Sequence, residues 1–305
     1  MKKLSFLVSV THHLTDYPKE QAFAAEEAAK RLGVDVKIVS ADNDAVAQSQ
    51  QILQVVQASH NRPDAVICHP VGTGLEQVAQ ATCQAGIGWA LLNRKVDYLA
   101  RLRRTYKVPV FGLTVDYEEA GRIQAQQVAA LLPEGGTVLY LEGLMLSPAA
   151  RALTIGMTAG KPANVQIRTL RGQWTEQSGF DAVKNWLALA TSHNAQVGAF
   201  AAQNDDMAMG ARRAFQEYSR NTDRDRWTQI PFTGCYACSR TGQEWVRQGQ
   251  LTASVLIPPS TGQAMEMLVR YFQGSAQPPE ETLVPASSFP PLEELGRHRA
   301  RGLHA

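Results

Sequence analysis

The stretch that decides the fold is VGAFAAQNDDMAMG, residues 197–210. Residues 197–202 form a short apolar run typical of a buried strand, and Asp205 then begins a helical pattern that extends to Tyr218. Aspartates in the first turn of a helix cap free N–H groups and complement the helix dipole. The stretch therefore predicts a strand that passes almost directly into a helix, with Asn204 at the turn. A metal-binding role for the Asp205–Asp206 pair is the alternative.

The same strand–helix unit recurs along the chain. Apolar runs of four to eight residues alternate with helical patterns, beginning with a strand at Leu4–Val10 and a helix at Pro18–Leu32. Such alternation predicts βαβ units and parallel sheets. The pattern passes through two successive sets of about five strands. We therefore expect an α/β protein with two doubly wound, Rossmann-like parallel-sheet domains.

A chain of 305 residues is long enough for two such domains. We expect one lobe from residues 1–115 plus 258–277 and the other from residues 116–257 plus 278–305. We expect a three-stranded hinge between them, with crossings near residues 114–116, 235–237 and 257–259.

Two segments interrupt the alternation. Residues 94–107 contain six basic residues and one acidic residue, which favours a solvated amphipathic helix; a partner-docking or anion-steering surface is the alternative. The tail from Pro278 is rich in proline, so irregular chain is expected there, followed by a basic terminal helix over residues 292–303.

Composition limits the function. The net charge of +2 gives no overall attraction to nucleic acid or to anionic membranes, so no nucleic-acid partner is expected. No run approaches the ~18 apolar residues of a spanning helix, so membrane insertion is not expected. The run Leu4–Val10 is too short for the core of an export signal. We expect a periplasmic protein if an export signal has been removed, and a cytoplasmic one if Met1 is the native start.

The motifs of catalysis and cofactor binding are missing from the sequence. It contains no GxGxxG after the first strand, no P-loop and no GxSxG, and His12–His13 lacks the spacing of two metal ligands on one helix. We expect no enzyme activity, no cofactor and no metal. The loop Gly72–Gly74 could bind an anion through its amides. Cys68, Cys83, Cys235 and Cys238 are expected to be reduced structural thiols, with a local disulfide as the alternative.

The segment Ala202–Gly210, AQNDDMAMG, resembles the type 1 periplasmic binding proteins, the ribose-binding and LacI-type sugar-binding family. Further fragments are similar in the same order across some 260 residues, among them Leu92–Arg94 and Ser147–Arg151. In that family the Asn at the end of this strand reaches the ligand. No helix-turn-helix precedes the first strand, so the DNA-binding branch is disfavoured.

The resemblance, together with the strand-end rule for α/β sheets, implies a set of ligand-binding residues. They are His13, Tyr17, Asn93, Arg94, Arg151, Trp174, Asn204 and Tyr236. Arg94 is expected to matter most, because its guanidinium makes paired hydrogen bonds. Tyr17, Trp174 and Tyr236 could form an aromatic clamp on the apolar face of a ring; the alternative is that some of them pack a domain rim.

Departures from the family's pattern bear on the ligand. Asn93 and Tyr236 stand where the family usually has aspartates, Leu153 where ribose-type proteins have a second ligand-binding arginine, and Ile257 where they have a polar residue. Carboxylates and arginines make the strongest hydrogen bonds to hydroxyl groups. A ligand with fewer hydroxyl groups than ribose, or one bound in another pose, is therefore expected.

The resemblance implies a monomeric solute-binding protein. It would capture a small polar ligand, a sugar or a related molecule, in an interdomain cleft by hinge closure, for ABC-type uptake. The expected partner is an ABC permease or a sensor protein. Two alternatives are a cytoplasmic sensor of the same fold that signals to a protein partner and an enzyme on a similar fold, such as a nucleoside hydrolase or a racemase.

Overall fold

The structure is a computed structural model that describes residues 3–218 and 226–295. It divides into two compact units. The first unit extends to Val115 and also includes Pro259–Val284. The second unit is Asp116–Pro258 together with the chain from Pro285.

Strands and helices alternate along the described chain. The elements up to Val115 are β1 Ser5–Val10, α1 Asp16–Leu32, β2 Asp35–Ser40, α2 Ala45–Val56, β3 Ala65–Cys68, α3 Glu76–Gln84, β4 Gly88–Leu92, α4 Tyr98–Thr105 and β5 Val110–Val115. The later elements are α5 Tyr117–Leu131, β6 Gly136–Glu142, α6 Pro148–Gly160, β7 Val165–Arg171, α7 Glu176–Leu187, β8 Ala199–Ala202, α8 Asp205–Tyr218, β9 Phe232–Tyr236, α9 Gly242–Arg247, β10 Ala253–Leu256, α10 Thr261–Phe272, β11 Glu281–Val284 and β12 Ser287–Phe289.

Each unit contains one six-stranded sheet. The strand order is β11-β5-β4-β3-β1-β2 in the first unit, with every pairing parallel. The order in the second unit is β12-β10-β9-β8-β6-β7, with β12 antiparallel to β10. The two doubly wound α/β sheets confirm the predicted fold class. The order reverses beside β1 and β3 in the first sheet and beside β6 and β8 in the second.

The central strands are apolar because helices cover both of their faces. Strand β4, GWALL, is buried along its whole length, as are β3 and β8. Trp89 is fully buried among residues of α3 and α4 in the core of the first unit. These buried strands hold their carboxyl-terminal ends at fixed positions. In α/β sheets, ligands bind at the carboxyl ends of the strands, at the point where the strand order reverses.

The tail differs from the sequence-based expectation. Residues 278–284 were expected in the second lobe, but β11 pairs with β5 and completes the first sheet. Strand β12 then pairs with β10 in the second sheet. Prolines flank these short strands without interrupting them, because Pro is compatible with sheet edges. The expected terminal helix begins at residue 292, and its residues 296–303 lie outside the described part of the chain.

The positions where the chain passes from one unit to the other differ from the sequence-based expectation in one place. They lie at Val115–Asp116, Pro258–Pro259 and Val284–Pro285. The crossing expected near residues 235–237 was wrong, because β9 and β10 are neighbours in the second sheet and the chain between them stays in that unit.

The basic segment 94–107 contains helix α4, whose apolar side buries Leu99 and Leu102. Several of its cations are bound within the unit. Arg101 pairs with Glu76, and Lys95 lies 3.1 Å from a carboxylate oxygen of Glu281. The segment therefore contains an amphipathic helix, and Lys95 and Arg101 are paired with carboxylates of the same unit.

All four cysteines are free and buried. Burial raises the pKa of the Cys83 thiol to about 12 and raises that of Cys235 well above its ordinary value. Within residues 3–218 and 226–295, no helix is long and apolar enough to cross a membrane, and no group of His, Cys, Asp or Glu is arranged to hold a metal ion.

Candidate ligand-binding site

In the first unit, the carboxyl ends of three neighbouring strands bring three side chains together. Tyr17 lies in the first turn of α1, His69 follows β3 and Asn93 follows β4. Asn93 Nδ2 donates to the Tyr17 hydroxyl at 3.3 Å and lies 3.5 Å from His69 Nε2. The Tyr17 and His69 rings meet edge to face, with centroids 6.2 Å apart. These three residues and Ser260, whose Oγ lies 3.5 Å from Asn93 Oδ1, are called the Asn93 cluster below.

His69 was not among the residues selected from the sequence. Burial, and then the positive charges of His12 and Arg94, lower its pKa to about 4, so its imidazole is neutral at pH 7. The Asn93 amide nitrogen is a donor only, so this contact is a hydrogen bond in the tautomer that protonates His69 Nδ1 and leaves Nε2 as the acceptor. His69 Nδ1 is buried and has no hydrogen-bond partner in the described chain. The signal for this residue was a polar side chain directly after a fully buried strand.

Arg94 follows Asn93 and is half-buried. Its guanidinium donates to the main-chain oxygen of Gly72 at 2.5 Å. No aspartate or glutamate of the described chain forms an ion pair with it. The guanidinium retains donors for a further acceptor.

The two histidines after β1 differ in environment. His12 accepts a hydrogen bond from the Leu14 N–H at 3.0 Å, and burial together with the neighbouring His13 lowers its pKa. His13 lies exposed in the same loop. His12, which was not in the predicted set, is one of the groups that lower the pKa of His69.

In the second unit the structure brings Trp174, Asn204 and Tyr236 together. The Trp174 and Tyr236 rings meet edge to face with centroids 6.4 Å apart. Asn204 Nδ2 donates to the Trp174 main-chain oxygen at 2.7 Å, and Asn204 Oδ1 accepts from the Met207 N–H at 3.0 Å. Asn204 is 5% exposed. Its amide therefore holds Trp174 and caps α8.

Asp205 makes buried contacts that the sequence did not predict. It is 4% exposed and points inward, where its carboxylate accepts from the Ala237 N–H at 2.7 Å and from the Ser254 hydroxyl at 2.6 Å. Tyr236 and Ala237 have φ values of +90° and +42°, a region that L-residues rarely adopt. The buried carboxylate therefore stabilises the backbone that presents the Tyr236 ring.

Trp174 also has a left-handed backbone, with φ of +68°, and its ring lies against the main chain at Gly143. A Cβ atom at Gly143 would come within 2.4 Å of the indole. The Gly143 N–H donates to Gln203 Oε1 at 2.8 Å, which fixes this stretch after β6. Gly143 and Asn204 thus determine the position of Trp174 from two sides.

Arg151 lies on a different element from these aromatic residues. It is exposed on α6, and its Nε donates to the Met145 main-chain oxygen at 3.4 Å. It shares no hydrogen bond or ion pair with Trp174 in the described chain. Leu153, two residues later, is fully buried in the core side of the same helix.

The two units thus each carry polar and aromatic side chains at the ends of parallel strands, as ligand-binding α/β proteins do. Residues 6–276 match the family model described as the periplasmic binding protein domain. The chain belongs to this family, and the predicted family is confirmed. Membership also confirms the expectation of a binding protein that is not an enzyme.

Individual relatives are more distant. A protein named putative rhizopine-binding protein, from Rhizobium meliloti, is 27% identical over 205 residues, which are 65% of this chain. The chain covers 63% of that relative's length.

Two solved structures show the same fold. A periplasmic solute-binding protein of an ABC transporter from Actinobacillus succinogenes 130z, with bound D-allose, has a TM-score of 0.80 at 18% identity and covers 97% of this chain and 100% of its own. The binding component of the arabinose ABC transporter from Shewanella sp. ANA-3, bound to L-arabinofuranose, has a TM-score of 0.77 at 21% identity, with 99% and 98% covered.

Proposed function

We propose that this protein binds a small polar ring compound, a sugar or a sugar-like molecule. The observation that carries the proposal is the Asn93 cluster at the reversal point of the first sheet. It presents an aromatic ring, an amide and an imidazole at the ends of adjacent strands. Such mixed apolar and polar linings are typical of small-molecule sites.

The second unit supports the same ligand class. The faces of Trp174 and Tyr236 suit the C–H face of a saturated ring, and stacking of this kind is typical of sugar recognition. Trp174 and Tyr236 both have positive φ values, which cost energy in L-residues. Strained backbone of this kind is concentrated at functional sites, which supports a role for both residues in binding. The sugars in the solved relatives support this choice of ligand.

The proposal extends to transport. A ligand that binds more tightly to one conformational state shifts the protein toward that state, and a permease of the ABC type would recognise it. We propose that this protein acts in the periplasm as a monomer. The chain would deliver its ligand without altering it.

The proposal is tested by calorimetry and thermal-shift screening of purified protein against hexoses, pentoses, cyclitols and sugar acids. We expect at least one compound to raise the melting temperature by several degrees. Trp174→Ala should weaken binding of that compound about tenfold or more, whereas Tyr218→Ala, at an aromatic residue 48% exposed on α8, should leave it unchanged. Absence of any binder from the panel would refute the proposed function.

A further inference from the structure

We infer that the ligand carries a carboxylate, and that the first unit recognises it through Arg94. This inference rests on the proposed function and names the ligand class as sugar acids rather than neutral sugars. It starts from the charges of the candidate residues, which include Arg94 and Arg151 but no aspartate or glutamate.

Arg94 has no counter-charge within the described residues. A guanidinium is charged at every physiological pH, and removing it partly from water is unfavourable without a counter-charge. Arg94 is half-buried, and the hydrogen bond that it makes within the described residues goes to the neutral Gly72 carbonyl. A carboxylate can accept two parallel hydrogen bonds from a guanidinium, which is the strongest neutralising contact available.

The carboxylates on neighbouring loops have other roles. Asp44 caps α2 by accepting from two main-chain N–H groups, and Asp42 accepts from the Ser40 hydroxyl at 2.6 Å. Asp16 pairs with Lys19 at 3.6 Å. Asp97 lies exposed before α4 and forms no ion pair with Arg94. None of these acids therefore neutralises Arg94 within the described chain.

The charges around His69 provide the second argument. The groups that act on it electrostatically are His12 and Arg94, and both disfavour its protonation. The imidazole therefore stays neutral, and its buried Nδ1 has no hydrogen-bond partner within residues 3–218 and 226–295. This edge of the sheet carries the positive charge of Arg94, and no carboxylate of the described residues raises the pKa of His69. Such a surface suits an acceptor-rich, negatively charged group better than a hydroxyl group, which needs an acceptor of its own.

Asn93, beside Arg94, has a neutral amide side chain. An amide at this position can hydrogen-bond a ring hydroxyl without adding negative charge beside Arg94. With aspartate there, the adjacent guanidinium would have a counter-charge and a ligand carboxylate would be repelled. The pair Asn93–Arg94 therefore retains a net positive charge for the ligand.

The test compares matched acid and neutral compounds by titration calorimetry at pH 7 and low salt. The pairs are D-galacturonate with D-galactose and D-glucuronate with D-glucose. We expect an acid to bind about tenfold or more tightly than its neutral partner, because hydrogen bonds between charged groups exceed neutral ones by about that factor. The preference should shrink at high salt, since exposed charges are screened.

Two variants assign the preference to one residue. Arg94→Gln should bring the ratio of acid to neutral affinity close to one. Arg104→Gln makes the same change of charge at an exposed arginine on α4 and should keep the ratio of the parent. If Arg94→Gln fails to fold by circular dichroism, Arg94→Lys, which keeps the charge but not the fork, should retain a reduced preference for the acid.

The outcomes separate the two proposals. Neutral sugars that bind as tightly as the acids, or an acid preference that survives in Arg94→Gln, would overturn the inference and leave the proposed function intact. Failure of every acid and every neutral compound to bind would overturn the proposed function itself.

Discussion

A single methyl group added at Gly143 is expected to weaken ligand binding without touching a polar group. In Gly143→Ala the new Cβ would lie 2.4 Å from two indole carbons of Trp174 and 2.6 Å from a third. Nonbonded carbons prefer separations near 3.5 Å, so the ring must move by about 1 Å. The movement is resisted, because Asn204 holds the Trp174 main chain at 2.7 Å.

The steric clash at Gly143 should reduce both folding stability and ligand affinity. Overpacking of this kind costs about 1–3 kcal/mol of folding stability. An aromatic contact is worth about 0.5–1.5 kcal/mol beyond the area it buries, so a displaced indole should reduce affinity about two- to tenfold. Urea unfolding measures the loss of folding stability, and calorimetry with a compound from the sugar panel measures the loss of affinity.

A matched glycine provides the control. In Gly262→Ala the added Cβ would meet its nearest neighbours at ordinary contact distances of 3.6 and 3.7 Å, in helix α10 of the first unit. This variant should retain the parent's affinity and be at least as stable. If Gly143→Ala bound its ligand as tightly as the parent and kept the parent's stability, the proposed role of the Trp174 ring in the site would be wrong.

Three further predictions concern buried groups. Asp205→Ala should lower the unfolding free energy in urea by about 3 kcal/mol or more, because it removes the charged acceptor of Ala237 and Ser254; unchanged stability would contradict this role. The pKa of His69 is lowered in the folded state to about 4, so folding should weaken as the pH falls from about 6.5 to 4, and His69→Asn should reduce the slope by up to about 1.4 kcal/mol per pH unit. Equal slopes in urea titrations of parent and variant would disprove it. The four buried cysteines should react with a thiol reagent only in denaturant, and rapid labelling of the native protein would show that they are accessible.

The sequence predicted the repeated strand–helix units because apolar strands buried on both faces are easily recognised. Strands β11 and β12 escaped prediction for a physical reason. They are short, lie at sheet edges and stand among prolines, so their sequence lacks the pattern of a central strand. Their pairing depends on β5 and β10, which lie far away in the sequence.

The candidate site was predictable in position but less so in the roles of its residues. Side chains after strand ends, such as Asn93 and Trp174's neighbour Asn204, were found because the strands end there. The sequence could not show that the Asn204 amide is engaged with Trp174, since this depends on the path of a loop thirty residues away. His69 directly follows the buried strand β3, and it was missed because it lies outside the fragments that resemble the family.

The segment from residue 281 to residue 289 has a consequence for biosynthesis. Its two strands complete the edges of two different sheets, and they are synthesised after the other strands of those sheets. Until then the apolar strand β5 has an unpaired edge, which is a template for association with other chains. A nascent chain is therefore prone to aggregation until residues 281–284 emerge, and chains truncated before residue 281 should require chaperones more than chains that contain these residues.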